Sequence, residues 1–165
     1  MSLSIFYRMM IRACLYGLLT PVVWGQSVWD GGGANGNWNT STNWTADTSP
    51  VTGAALVFSG TTRLSNTNNL ATSFVFNGIT FTNSAGAFVI TGNTFSVTNT
   101  LLNLSTNLQT LQQAFTLGTS VTMNASNGAM VFSGNITNGG NLLSVAGVSN
   151  LTLSCLLYTS PSPRD

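Results

Sequence analysis

Between residues 26 and 154 the sequence has almost no charge: it contains one arginine and two aspartates, and no lysine, glutamate, histidine or cysteine. Charged residues make up 4% of the whole chain, against roughly 25% in an average soluble domain. General acid–base catalysis, zinc binding by imidazole or thiolate, and neutralisation of phosphates all need side chains that are missing here. The composition therefore predicts a protein that is not an enzyme, with no catalytic residue, no cofactor, no metal site and no binding of nucleic acid.

The same stretch is rich in glycine, asparagine, serine and threonine, which together supply 71 of its 129 residues. Hydrophobic residues still make up 43% of the chain, which is too many for a disordered polar segment. They occur in short runs of three to five residues, rich in Val, Ile, Phe and Thr and bounded by turn residues. Because this pattern is typical of strands, residues 51–154 are expected to be all-β.

The N-terminal residues differ from this pattern. Arg8 and Arg12 form a positive region before a mostly apolar run, Ala13–Trp24, and small or polar residues follow from Gly25. The apolar run is too short to span a bilayer as a helix, so we predict that residues 1–25 are a secretory signal peptide cleaved close to Gly25. The alternative is a buried N-terminal helix.

The C-terminal segment 155–165 also differs in composition from the rest of the chain. It brings the only cysteine after the predicted signal peptide, together with two prolines and two charges. It resembles the frame translation of a transposase sequencing adapter, and is therefore excluded from the fold prediction as a non-native tail. On this interpretation the natural polypeptide continues beyond Ser154, and the mature protein has no disulfide. The alternative is a genuine proline-rich tail.

Tryptophan and glycine dominate the opening of the mature region, residues 26–50. Trp29, Trp38 and Trp44 are separated by glycine-rich spacers, and Pro50 ends the segment. Glycine permits tight loops, and large aromatic side chains can anchor such loops by packing. We expect this segment to cap the fold, with the three indoles lying over its first layer.

Strand length helps to choose between two all-β architectures. Many of the predicted strands have only about three residues, which favours a β-solenoid over a β-sandwich or jelly roll, whose strands usually have about five or six. Coils of roughly 20–25 residues would give about five coils in this chain. Asparagine side chains are expected to form hydrogen-bonded ladders from coil to coil, and charged residues would repel one another at the coil spacing of about 4.8 Å.

Internal repetition supports the solenoid. The segment Gly53–Gly60 recurs nearly intact as Gly128–Gly134. A looser unit, in which two apolar residues precede Ser or Thr, Gly and Asn, occurs at Val89–Phe95 and at Val131–Ile136. The spacing between units is irregular, which excludes a regular hexapeptide helix and leaves a loose solenoid.

Several of these motifs also indicate a family. The opening residues Trp29–Gly33, Asn37-Trp38 and Asn43-Trp44 and the later segments Leu56–Gly60 and Gly134–Gly140 resemble bacterial surface proteins built of autotransporter-associated β-strand repeats. The resemblance implies a right-handed parallel β-helix with a Trp/Gly-rich N-terminal cap, exported to the cell surface and attached to the outer membrane through a C-terminal part. It implies a secreted structural or adhesive segment of a larger passenger protein, and it brings no catalytic residues.

Carbohydrate binding is the alternative function. An exposed tryptophan can stack on a sugar ring, so Trp29, Trp38 and Trp44 are the candidate contacts for a glycan, with packing in the cap as the competing interpretation. The expected partners are surface glycans or other cell-surface proteins. Asp30 and Asp47 could form the carboxylate pair of a glycosidase, but both lie in turn-rich sequence, where aspartate commonly supports the turn.

Overall fold

The computed structural model describes residues 25–154 and the backbone of Leu157–Tyr158. The predicted signal peptide, apart from Gly25, and the remainder of the predicted non-native tail lie outside the described residues. The described part contains two short 3₁₀ segments, Ser41–Asn43 and Thr45–Asp47. Its strands, in chain order, are β1 (Gln26–Trp29), β2 (Ala55–Phe58), β3 (Ser65–Asn68), β4 (Val75–Phe76), β5 (Ile79–Phe81), β6 (Val89–Gly92), β7 (Phe95–Val97), β8 (Leu101–Asn103), β9 (Gln109–Leu111), β10 (Phe115–Leu117), β11 (Val121–Ala125), β12 (Met130–Phe132), β13 (Ile136–Thr137), β14 (Leu143–Gly147), β15 (Leu151–Leu153) and β16 (Leu157–Tyr158).

These strands form three parallel sheets stacked as a β-solenoid. Sheet A has the order β1-β2-β5-β8-β11-β14, sheet B the order β3-β6-β9-β12-β15, and sheet C the order β4-β7-β10-β13-β16. Four complete coils begin at β2, β5, β8 and β11, and a last coil begins at β14. The predicted β-solenoid is confirmed. The β-sandwich alternative is wrong, because all pairings between these strands are parallel and hairpins in two facing layers would make them antiparallel.

One inward-facing row of side chains shows how the coils stack. In sheet A, Leu56 lies beside Ile79, Ile79 beside Leu101, Leu101 beside Met123, and Met123 beside Val145. Successive members are 22 or 23 residues apart, within the predicted coil length. Because side chains alternate across a strand, the neighbours of this row face outward and the row itself builds the core. All its members except Val145 are fully buried.

Aromatic rings fill much of the core. Phe58 stacks on Phe81 with ring centroids 5.4 Å apart, and Phe95 stacks on Phe115 at 5.7 Å. These contacts join residues of consecutive coils. Such pairs add stabilisation to the burial of the rings themselves.

The predicted amide ladders are largely replaced by a different arrangement. Asn68 Nδ2 donates to the Asn93 carbonyl at 2.8 Å, and Asn103 Nδ2 donates to the Ala129 carbonyl at 3.1 Å. These buried amides therefore bind backbone of the next coil, because corner carbonyls lie outside the sheets and need a donor. The one amide-to-amide contact between coils in the described part is exposed and long, from Asn99 Nδ2 to Asn77 Oδ1 at 3.4 Å.

The two sequence repeats have different structural meanings. The units Val89–Phe95 and Val131–Ile136 both connect sheet B to sheet C, so they occupy the same corner two coils apart. By contrast, Gly53–Gly60 contains β2 of sheet A, whereas Gly128–Gly134 contains β12 of sheet B. The two copies of the nearly intact repeat therefore lie in different sheets, and only the looser unit occupies equivalent positions in two coils.

The opening segment covers the first edge of every sheet, and residues 26–54 are called the cap below. In sheet A, β1 pairs in parallel with β2. On sheet B, Thr67 N–H donates to the Gly36 carbonyl at 2.8 Å and Trp38 N–H donates to the Thr67 carbonyl at 3.0 Å. On sheet C, Gly53 N–H donates to the Val75 carbonyl at 2.6 Å. The cap therefore occupies the outer edge of β2, β3 and β4, and β1 becomes the outermost described strand of sheet A.

Candidate interaction surface

The three tryptophans of the cap form one buried cluster. The ring centroids of Trp29 and Trp44 are 5.1 Å apart and those of Trp38 and Trp44 are 5.9 Å apart, both in edge-to-face geometry. Trp38 also lies 5.8 Å from Phe58 and 5.8 Å from Phe76 in the first coil. The indoles thus fill the space above the first coil, as expected of a cap.

Their burial bears directly on glycan binding. Trp29, Trp38 and Trp44 each have 0% exposure, and each indole N–H donates within the protein: to the Thr62 carbonyl, to Asn66 Oδ1 and to the Trp38 carbonyl respectively. Stacking on a sugar needs an exposed ring face. The three indoles therefore present no exposed ring face on which a sugar could stack.

Asn43 organises the loops of the cap. Its side chain has 0% exposure. Its Oδ1 accepts from Gly33 N–H at 2.9 Å, and its Nδ2 donates to the carbonyls of Asn35 at 2.8 Å and Asn37 at 2.9 Å. One amide therefore satisfies three backbone groups of a glycine-rich loop that has no regular secondary structure. Residues 26–154 contain nineteen asparagines, and no local pattern distinguishes Asn43 from the others.

The two aspartates lie in turns. Asp30 Oδ1 accepts from Gly32 N–H at 2.9 Å, which is the geometry of an Asx turn. Asp47 is exposed and adopts a positive φ of 50°. Asp30 follows β1 and Asp47 ends the second 3₁₀ segment. The turn interpretation fits both residues, and no contact joins them into a catalytic pair in the described part.

An open cleft of about 390 Å³ lies where the cap meets sheet C. Its lining comprises Thr52, Gly53, Val75, Asn77 and Thr98. Thr52 Oγ1 accepts from Val75 N–H at 3.1 Å, so this hydroxyl is already used to hold the cap on β4. The lining offers neutral hydroxyl and amide groups and no titratable side chain, so it supplies no acid, base or charged nucleophile.

In the last described coil, side chains that continue buried rows of the preceding coil are partly or largely exposed. We call Leu143, Val145, Leu151 and Leu153 the open face. Their register partners in the preceding coil are inward-facing core residues with at most 2% exposure: Val121, Met123, Met130 and Phe132. Val145 is 61% exposed and Leu153 is 38% exposed. In addition, β14, β15 and β16 are each the last strand of a sheet among the described residues, so one edge of each lacks a described partner.

The open face was not among the sites predicted from the sequence. Its residues alternate apolar with polar, as in any inward row, and the pattern carries no sign that the row is uncovered. The signal lies in the clustering: among the described residues, six large apolar side chains are prominently exposed, and four of them belong to residues 142–153, namely Leu142, Val145, Val148 and Leu153. Clustered exposure of this kind marks an interaction surface more often than scattered exposure does.

The described residues offer little else for chemistry. No three His, Cys, Asp or Glu side chains converge there as a metal site would require, and none of the described helical segments is long and apolar enough to cross a membrane. Comparison with family models, with curated proteins and with solved structures finds no match to this chain. The fold and the open face are therefore the observations on which a function is proposed.

Proposed function

We propose that the chain is a non-enzymatic structural and adhesive segment of a larger bacterial surface protein, of the autotransporter passenger kind, that is secreted and displayed outside the cell. The observation that carries this proposal is the rod itself: coils stacked in parallel, closed at the first end by the cap, with neutral sides. A rod of this kind displays surface without needing a catalytic centre.

The outward rows suit broad, weak contacts. In sheet C the outward row runs Val75, Ser96, Thr116 and Thr137, and in sheet B it includes Thr110, Val131 and Thr152. These side chains are neutral, most of them carry a hydroxyl, and neighbouring strands are about 4.8 Å apart. Such a surface can hydrogen-bond to glycans or proteins on another cell without strong selection by charge.

Export is tested with the chain's own N-terminal residues in a Gram-negative host. We expect the chain to leave the cytoplasm and to lose its first residues close to Gly25, which cell fractionation and N-terminal sequencing would show. The double variant Arg8→Glu, Arg12→Glu should retain the chain inside the cell, because the positive n-region is lost. An intact N-terminus in the cytoplasm would count against secretion.

The adhesive role is tested on the purified protein. Beads coated with the chain should adhere to cells bearing surface glycans, and the variant Thr116→Lys, Thr137→Lys should adhere differently, because it places two charges on an otherwise neutral row. The matched control is Val51→Lys, which adds a charge to the cap at a side chain that is 65% exposed. Beads that adhere no better than bare ones would refute the adhesive role, and turnover of any substrate would refute the non-enzymatic one.

A further inference from the structure

We infer that the cleft between the cap and sheet C binds a neutral sugar unit of a glycan. The inference deepens the adhesive role proposed above, and it rests on that role for the choice of a glycan as the ligand. It names one site on the molecule. The observations that carry it are the shape of the cleft, the polar atoms that its lining leaves free, and the lack of charge in that lining.

The cleft crosses three successive levels of the solenoid. Its lining comes from the cap (Thr52 and Gly53), from the first coil (Val75 and Asn77) and from the second coil (Thr98). Because neighbouring strands are about 4.8 Å apart, the cleft extends about 10 Å along the solenoid axis. Its volume of about 390 Å³ is near the lower end of the range for ligand pockets, roughly 300–1,000 Å³. These dimensions suit a small ligand.

Backbone hydrogen bonds hold the lining in place. Gly53 N–H donates to the Val75 carbonyl at 2.6 Å. Asn77 N–H donates to the Ala54 carbonyl at 2.9 Å. Gly53 has a positive φ of 88°, a conformation that favours glycine, so this part of the lining carries no side chain. A site formed in advance in this way loses little conformational entropy when a ligand binds.

Two side chains of the lining keep polar atoms free for a ligand. Asn77 Oδ1 accepts from Asn99 Nδ2, whereas no described group accepts from Asn77 Nδ2, which can therefore donate to a hydroxyl. Thr98 Oγ1 donates to the Phe76 carbonyl at 3.3 Å, so its oxygen can still accept. Val75 is half-buried and supplies an apolar patch beside them. A sugar ring presents the matching pattern, because its hydroxyls alternate with C–H groups.

The lining carries no charge with which to hold an ionic ligand. Its side chains are hydroxyls, one amide and one aliphatic group, and the charged residues of the stretch 26–154, Asp30, Asp47 and Arg63, do not line it. A carboxylate, phosphate or ammonium group would lose water in the cleft without gaining an opposite charge. The ligand is therefore a neutral sugar.

The test titrates the purified chain with four neutral disaccharides, lactose, cellobiose, maltose and chitobiose, and follows the backbone amides by NMR. One or more of them should shift the amides of the cleft residues Gly53, Val75, Asn77 and Thr98 to saturation. Asn77→Ala should raise the dissociation constant about threefold to tenfold, because it removes the free donor. The matched control is Asn83→Ala, at an exposed asparagine in the loop between β5 and β6, which should leave the dissociation constant unchanged.

Sialyllactose tests the neutrality of the ligand, because it adds a carboxylate to lactose. It should bind no more tightly than lactose does, and tighter binding in the cleft would overturn the inference. Equal effects of the two alanine variants would also overturn it, since the sugar would then bind elsewhere. So would a cleft whose amides shift with none of the four disaccharides.

The same titration separates this site from the adhesive role. The variant Thr116→Lys, Thr137→Lys changes the outward row of sheet C and leaves the lining of the cleft intact, so it should bind the disaccharide as the unchanged chain does. If coated beads adhere to cells but no disaccharide binds in the cleft, the site is refuted and the adhesive role stands. If a disaccharide binds in the cleft but coated beads do not adhere, the site stands and the adhesive role is refuted.

Discussion

At the first end of the solenoid the cap pairs with β2, β3 and β4, whereas at the last end β14, β15 and β16 each have a described neighbour on one side alone. The coils between the two ends are built alike, with similar length, strand placement and inward rows. The difference therefore lies in what covers a coil and not in how a coil is made. In a solenoid, where stability is close to a sum of contacts between neighbours, this predicts a gradient along the axis.

The composition of the core also changes from the first end of the solenoid to the last. The three buried tryptophans lie at the first end, and buried phenylalanines extend from Phe58 to Phe132. The last coil presents leucine and valine instead, at positions that are partly or largely exposed. Local unfolding should therefore begin at the last coil, and the predictions below compare equivalent substitutions at the two ends.

The largest effect is expected at Trp38, whose indole contacts the cap and the first coil. Trp38→Ala should lower the free energy of unfolding by about 3–5 kcal/mol, because it leaves a large cavity among Trp44, Phe58 and Phe76. Urea unfolding followed by circular dichroism measures it. Trp38→Phe keeps a ring but removes the N–H that donates to Asn66 Oδ1 at 2.8 Å, and it should cost less. A small loss for Trp38→Ala would show that the cap contributes little to stability.

Replacing a leucine by alanine at each end of the solenoid compares the two ends through the same chemical change. Leu56→Ala removes a fully buried side chain of the first coil and should cost about 2–5 kcal/mol. Leu153→Ala removes a side chain that is 38% exposed in the last coil and should cost less than about 1 kcal/mol. Urea unfolding of both variants measures the two values. Equal losses would contradict the gradient.

How far the sequence anticipated this structure depends on whether a feature is set by local pattern or by contacts between coils. Short β runs bounded by turn residues identify the strands, and the Trp/Gly-rich opening identifies the cap, because both follow from properties of neighbouring residues. Which sheet β1, Gly36 or Gly53 would cover could not be predicted, because each of them pairs with residues 22 to 31 positions further along the chain. Buried amides were expected to bind each other, but corner carbonyls compete for them in a way that sequence does not display.

The tryptophans and the open face both show that local sequence does not determine whether a side chain is buried or exposed in the stack. A tryptophan among glycines fits an exposed platform and a buried anchor equally well, and only the position of Phe58 and Phe76 beneath Trp38 separates them. Val145 reads as an ordinary inward residue, like Met123 beside it. Its exposure is a property of the stack, so no local pattern could have revealed it.

Two glycines give a comparison with nearly identical local geometry. Gly92 has φ +107° and Gly147 has φ +102°, and a Cβ at either would collide with backbone of the preceding coil, at Asn68 and Ala125 respectively. Either substitution to alanine forces strain in a region that L-residues avoid. Gly92→Ala should lower the free energy of unfolding by about 2–4 kcal/mol and Gly147→Ala by about half as much, because the last coil can shift outward. Thermal and urea unfolding of both variants measure the difference, and a larger loss at Gly147 would mean that the last coil is held rigidly.

The smallest effect is expected at the exposed amide contact between Asn77 and Asn99. The 3.4 Å distance from Asn99 Nδ2 to Asn77 Oδ1 is long, and water competes for both groups. Asn99→Ala also removes the acceptor for Thr100 N–H at 2.9 Å, so Asn77→Ala is the cleaner test of the contact. It should change the free energy of unfolding by less than about 0.5 kcal/mol. The buried counterpart is Asn103→Ala, which removes the donor to the Ala129 and Asn107 carbonyls and the acceptor for Ser105 N–H, and it should cost about 1–3 kcal/mol. If the exposed substitution cost as much as the buried one, amide-to-amide contacts would have to be counted among the forces that hold the coils together. If it costs far less, the neutral side chains of this protein stabilise the stack mainly through hydrogen bonds from amides to backbone carbonyls in the corners.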